Sequence, residues 1–229
     1  KTDWSFKGLF GKFDRGSLQR GYQVYSEVCS SCHSMKYVSY RNLSEKGGPE
    51  FTEEQVKAIA ANFEVVDGPN SDGEMFTRQA KLSDKFVMPY ENIKAAQAAN
   101  GGAYPPDMSV LAKARSGGVN YIYSVLLGYE DPPSGVTLDE GVYYNKYMYG
   151  NNIKMSQPLS DGLVEYSDGT VASEEQMAKD VTTFLMWAAE PHLEARHRMG
   201  FKAILYLIIL TILVYFSMKK IWSRIESEV

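Results

Sequence analysis

Five consecutive residues, Cys29-Ser30-Ser31-Cys32-His33, constrain what this chain can fold around more than any other part of it. They form a Cys-x-x-Cys-His run and contain both cysteines of the chain. Such a run is the attachment signature of a c-type haem. Two thiols two residues apart can each add to one vinyl group of a haem, and the adjacent imidazole then reaches the iron from one face. Both sulfurs end in thioethers, so no thiol remains for a disulfide or a zinc site.

Two other chemistries share this cysteine spacing, and the rest of the sequence opposes both. A redox dithiol usually sits near a βαβ pattern and needs no histidine after it. A zinc site needs more ligands, and the remaining histidines, His192 and His197, lie far along the chain beside an apolar segment.

That segment, residues 199–218, reads MGFKAILYLIILTILVYFSM and carries one charge, Lys202, near its start. As a helix its 20 residues are ~30 Å long, the thickness of a hydrocarbon core. Lys202 can snorkel to the interface. Tyr206 and Tyr215 lie within the span and Trp222 just past it, where interfacial aromatics gather. Arg196 and Arg198 precede the span, and Lys219, Lys220 and Arg224 follow it, so charge leaves the orientation open. The haem sets it, because covalent attachment occurs on the exported side. The expected layout is a periplasmic c-type haem domain over 1–198, an inner-membrane anchor over 199–218 and a cytoplasmic tail over 219–229. No signal peptide stands at Lys1, so the chain is expected to be a mature form with its leader removed.

The net charge is −4, and only four of the 24 basic and two of the 28 acidic residues lie from 199 onward. The part before it therefore carries −6, which repels nucleic acid and favours basic protein partners.

Short helices and long loops dominate the pattern, with a minor hairpin, so the fold class is mainly α. A helix is expected over 17–29, with Gly21, Tyr25 and Cys29 on one face and Gly21 allowing another helix to approach closely. Thr52-Glu53-Glu54-Gln55 reads as a capping box ahead of Val56, Ile59, Ala60 and Phe63 at helical spacing. Residues 64–90 hold Gly68-Pro69, Asp72-Gly73 and Met88-Pro89 and read as a long loop. A short helix covers 92–100. Pro105-Pro106 opens another that ends at Ser116-Gly117-Gly118, and 121–127 is a further helix closed by Gly128. Residues 129–172 are irregular, apart from a hairpin expected around Asp168-Gly169. Ser173 and Gln176 form a second capping box. Met177, Val181, Phe184, Leu185 and Ala188 make an apolar stripe that Pro191 ends.

The iron has a second face. With protein ligands on both faces it transfers electrons, whereas an open face suits a sensor or peroxidase. Met35 is too near His33 to reach the other face. Met177 and Met186 suit a core helix, and Met199 and Met218 belong to the anchor. Met75, Met88, Met108, Met148 and Met155 remain. Met88, in VMPY, and Met155, in IKMSQPL, both lie in loops able to wrap a haem edge, and their chemistry does not separate them. A neutral thioether favours ferrous iron and raises the potential.

Long ordered blocks carry a resemblance. VYSEVCSSCHSMKYVSYRNL, DGPNSDGEMFTRQAKLSD, AANGGAYPPDMSVLAKARSGG, VEYSDGT and DVTTFLMWAAEPHLEARHRMG together resemble the cytochrome c1 family, of bacterial type, along nearly the whole chain. These are haem subunits of the cytochrome bc1 complex, ubiquinol–cytochrome-c reductase. The resemblance implies a cytochrome-c-like helical core with large insertions and one C-terminal anchor. It selects Met155 as the distal ligand, so that His33 and Met155 hold the iron of one covalent haem c. It implies that Arg115 pairs with a haem propionate and that Asn100, Pro106 and Tyr121 line the pocket. A guanidinium suits that role because it can bind a carboxylate through two parallel hydrogen bonds. The implied partners are a cytochrome b subunit, a Rieske iron–sulfur protein as donor and a cytochrome c as acceptor, in a dimeric complex. The chain would carry electrons as part of that enzyme, with no bond-making catalysis of its own. Glu64, Asp67, Asp72 and Glu74 match the acidic stretch expected to face a basic partner.

A free-standing anchored shuttle is the competing reading. It calls for a flexible Pro/Ala/Gly-rich linker, whereas Pro191–Arg198 is eight residues long and charged. An open-site haem sensor or peroxidase is the third.

Overall fold

The computed structural model describes residues 2–226. Two helices form the centre. Helix α1 (Arg15–Glu27) starts where Asp14 accepts a hydrogen bond from the Ser17 amide, and α6 (Glu174–Ala189) starts at Ser173, which accepts from the Gln176 amide. Gly21 brings the two together: a Cβ there would stand 2.2 Å from the Asp180 carbonyl oxygen. The close helix approach expected at this glycine is present. The apolar stripe of α6 is buried as its spacing predicts, with Met177, Val181, Phe184 and Leu185 at 1 % exposure or less. Around this pair Tyr22, Tyr25, Tyr40, Phe86 and Phe184 make an aromatic core with centroids 5.0–6.1 Å apart.

Smaller elements surround the pair. They are α2 (Glu53–Ala61), α3 (Ile93–Ala99), α4 (Leu111–Ala114) and α5 (Gly118–Leu126). The Thr52 capping box forms in full, with Thr52 and Gln55 each bonding the other's amide. The Ser173 box forms by half, because the Gln176 side chain turns instead to Asp180 at 3.0 Å.

The strands depart from expectation. Within the presumed loop 64–90, β1 (Glu64–Asp67) pairs antiparallel with β2 (Phe76–Gln79), from Glu64 opposite Gln79 to Asp67 opposite Phe76. A second small pair joins β3 (Tyr143–Tyr144) to β4 (Asn152–Ile153). Around Asp168-Gly169 the turn forms, with the Gly169 amide bonded to the Tyr166 carbonyl, but no strands flank it. Val164 and Tyr166 are buried in the core, and Asp168 is drawn to Arg20 at 2.7 Å. Those side chains have tertiary partners in place of cross-strand ones. Pro105 and Pro106 open no helix either, and regular helix begins only at Leu111.

The last helix, α7 (Leu193–Glu226), is one continuous rod of 34 residues. It contains the expected span and is long and apolar enough to cross a membrane. Its first turn belongs to the domain. Leu193 is 4 % exposed, and Glu194 accepts two hydrogen bonds from Arg15, at 2.8 and 2.9 Å, and one from the Phe13 amide at 2.9 Å.

Candidate functional site

The end of α1 builds the cysteine turn. Helical hydrogen bonding stops at Val28, and a single 3-10 turn covers Cys29–Ser31. The amides of Cys32 and His33 both return to the Cys29 carbonyl, at 3.2 and 2.9 Å. The intervening serines tie the turn to the helix, Ser30 Oγ to the Ser26 carbonyl and Ser31 Oγ to the Val28 carbonyl. Cys29, Cys32 and His33 therefore sit on one rigid corner. Neither cysteine is in a disulfide, and both are half-buried. Burial pushes the Cys29 thiol up to about 12, and the neighbouring Cys32 adds to the rise. A redox dithiol needs a depressed thiol pKa, so this corner suits that chemistry poorly.

His33 is fixed more tightly than its sequence context suggests. It is 8 % exposed, and its Nδ1 stands 2.8 Å from the Pro106 carbonyl oxygen. A carbonyl only accepts, so Nδ1 carries the proton and Nε2 keeps a free lone pair, the state a metal-bound imidazole needs. Burial holds the ring pKa below its usual value against smaller opposing effects from Pro106 and Asp107, which favours the neutral ring. Among the described residues, no three His, Cys, Asp or Glu side chains come together as a metal site, so a zinc centre finds no ligand set.

Asp107 is the residue the sequence reading missed here. Its carboxylate accepts from Ser34 Oγ at 2.8 Å and from the Lys36 and Ser109 amides at 3.0 Å each. Partial burial raises its pKa, but these bonds together hold it below the usual carboxylate range. The clamp joins the segment after His33 to Pro106, which explains why Pro105-Pro106 stays extended. An aspartate directly after a proline pair was the available signal.

The other expected residues spread around this corner. Asn100 caps α3 and donates to Tyr90 Oη at 3.1 Å, and Tyr90 Oη in turn stands 4.0 Å from Cys32 Sγ. A cavity of about 210 Å³ opens beside Cys32, lined among others by Tyr90, Tyr104, Pro105 and Met88. Tyr121 donates to Met148 Sδ at 3.1 Å. Arg115 is exposed; its guanidinium reaches the Ala114 carbonyl at 3.5 Å and makes no ion pair among the described residues. Met155 is half-buried, and Tyr129 Oη donates to its carbonyl at 3.0 Å. Ile153 and Leu159, on either side of it, are buried in the core, whereas Met88 is 52 % exposed. Tyr129 and the fully buried Asn145, which holds the 145–148 turn through Val125, Tyr147 and Met148, were not evident from sequence. Both make long-range contacts to backbone, which no local pattern encodes. A larger cleft of about 470 Å³ lies along α1 and α2 and contains none of these residues.

The acidic stretch occupies the β1–β2 hairpin. Glu64, Asp72 and Glu74 are exposed. Asp67 is held by Arg78, which keeps its carboxyl below the usual range and also pairs with Asp84.

Comparison with known proteins agrees with this architecture. The sequence model of the Cytochrome C1 family matches residues 4–225. Cytochrome b/c1 of Bradyrhizobium diazoefficiens is 52% identical over 96% of this chain, which spans only 35% of that longer protein. The mitochondrial cytochrome c1-2 haem protein of Solanum tuberosum is 52% identical, covering 98% of this chain and 85% of its own length. A mitochondrial cytochrome b-c1 complex catalytic subunit of Candida albicans is 47% identical over 99% of this chain and 78% of its own. A family match across almost the whole chain, carried by a cysteine–histidine corner that presents a free imidazole nitrogen, establishes that the chain belongs to the cytochrome c1 family.

Proposed function

We propose that the chain binds one haem c covalently, with thioethers from Cys29 and Cys32 and iron ligands from His33 and Met155. The observation that carries this reading is the 2.8 Å bond from His33 Nδ1 to the Pro106 carbonyl. It fixes the tautomer and leaves Nε2 free on the same turn as the two cysteines. The donor set suits the group chemically: two cysteines two residues apart on one turn, one oriented imidazole and a thioether on an anchored loop. When bound, a haem supplies a one-electron iron couple, and a thioether ligand raises its potential. The protein's part is to orient and enclose. Pro106 sets the imidazole plane, Asp107 holds that strand in place, and Tyr129 with Ile153 and Leu159 fixes the Met155 loop. Arg115 remains available to a propionate, and Asn100 and Tyr121 complete the lining.

In the same reading the chain is the haem subunit of a dimeric cytochrome bc1 complex, beside a cytochrome b subunit. It takes an electron from a Rieske iron–sulfur protein and delivers it to a cytochrome c, whose basic face would meet Glu64, Asp72 and Glu74. Residues 1–198 form the periplasmic domain, 199–218 the inner-membrane anchor and 219–229 the cytoplasmic tail. Relatives named for cytochrome b/c1 and the b-c1 complex support the assembly. The free-standing shuttle is disfavoured by the junction with α7, where Arg15 grips Glu194 and leaves no slack linker.

Extraction with acidic acetone tests the covalent link. Pigment that stays with the denatured chain is the expected result, and pigment released into the solvent refutes thioether attachment. Carbon monoxide tests the second ligand: the reduced protein is expected not to bind it, and ready binding would favour the open-site sensor or peroxidase.

A further inference from the structure

The segment before α1 makes a closed loop. The Lys12 amide returns to the Ser5 carbonyl at 3.0 Å, and the Gly11 amide to the Gly8 carbonyl at 3.2 Å. Gly8 has φ +86°, and a Cβ on Gly11 would stand 2.2 Å from the Phe6 carbonyl oxygen, so both glycines are required by this shape. The loop sorts its apolar residues in two directions. Trp4, Phe6 and Phe13 are buried against one another, with centroids 5.6 and 5.2 Å apart, and Trp4 Nε1 donates to Asn120 on α5 at 2.7 Å. At the tip, Leu9 and Phe10 are 67 % and 73 % exposed between Lys7 and Lys12. A pinned turn that holds two large apolar side chains in water is costly unless something covers them.

Its position indicates what covers them. The Phe10 ring lies 6.1 Å from the ring of Phe201, the third residue of the apolar span, and His197 Nδ1 lies 3.3 Å from the Gly11 carbonyl. The tip therefore stands at the depth where α7 enters the membrane, continuous with the lipid-facing surface of that helix. We propose that the 8–11 turn is a second membrane contact: Leu9 and Phe10 enter the acyl boundary while Lys7 and Lys12 meet headgroup phosphates. Apolar tips framed by cations are the composition that interfacial segments use. The contact would restrain tilting of the domain about the point where α7 enters the bilayer.

The test uses the full chain, purified in mild detergent with its co-migrating subunits and reconstituted into phospholipid vesicles. Leu9→Cys and Phe10→Cys each receive a nitroxide label, with the unsubstituted chain as background. Val171→Cys serves as the water-exposed control, since Val171 is 80 % exposed and lies beyond the far end of α6, ~24 Å of helix from the junction. Relaxation by oxygen is compared with relaxation by a water-soluble nickel chelate. The expected result is an oxygen-to-nickel ratio several-fold higher at 9 and 10 than at 171. A ratio equal to that at 171 places the turn in water and overturns the proposal. Shielding from both probes places it against protein and overturns it equally.

Discussion

The Asp180 carboxylate on α6 is wholly buried and takes two hydrogen bonds from Arg20 on α1, at 2.8 and 3.1 Å. Arg20 also reaches Asp168 at 2.7 Å and lies over the Tyr166 ring, so one guanidinium ties both central helices to the 166–168 turn. Its pKa is raised chiefly by the hydrogen bond to Asp180. Removing one partner of such a pair leaves a charge stranded in the core. Arg20→Ala should lower unfolding stability by about 3–5 kcal/mol, measured by denaturant titration of the haem-loaded protein. A loss near the ~1 kcal/mol of a surface pair would show that the carboxylate is solvated after all.

Gly21 occupies the same helix crossing. Gly21→Ala forces a methyl against the Asp180 carbonyl, so α1 must move off α6. The expected cost is at or above the upper end of the ~1–3 kcal/mol that overpacked cores typically lose. Because α1 leads directly into the cysteine turn, the variant should also take up haem less completely, read as the ratio of Soret to protein absorbance.

Acid should weaken the same region through Asp168. The Thr170 amide first, then Arg20, hold its carboxyl down to about 2. A depressed pKa means that the folded form prefers the charged state. Its contribution is therefore full above the ordinary value of 3.8 and is lost as pH falls from there towards 2. Asp168→Asn should flatten the dependence of the melting temperature on pH across that interval, lowering it at neutral pH, where the contribution is full, and changing it little near pH 2.

Met155→Leu should lower the midpoint potential and convert a reduced protein that excludes carbon monoxide into one that binds it stoichiometrically. An unchanged spectrum and potential would pass the ligand role to Met88, which lines the cavity beside Cys32.

Truncation maps where the domain ends. The fragment 1–198 keeps Leu193 and Glu194 and should fold as a soluble, haem-retaining domain. A fragment ending at 192 loses the buried Leu193, worth about 1.5–3 kcal/mol, and the partner of Arg15. It should melt well below the longer fragment in parallel thermal scans.

Features encoded locally were readable in the chain. Thr52 and Ser173 each cap the helix their spacing announces, and Gly21 stands at the helix crossing. Cys29, Cys32 and His33 share one turn, as five adjacent letters suggest. Features settled by distant partners were not readable. The turn at Asp168-Gly169 has the composition of a hairpin, yet Arg20 and the core claim its flanks. The β1–β2 hairpin hides in polar sequence because it buries little, and Arg78, bridging Asp67 and Asp84, does much to hold it. Pro106 has the composition of a helix opener, yet its carbonyl serves His33 across 73 positions of sequence.

The grip of Arg15 on Glu194 has a mechanical consequence. In the assembly proposed above, a domain clamped to the first turn of its own anchor moves only as that helix moves. Most of the travel between one redox encounter and the next would then fall to its partners.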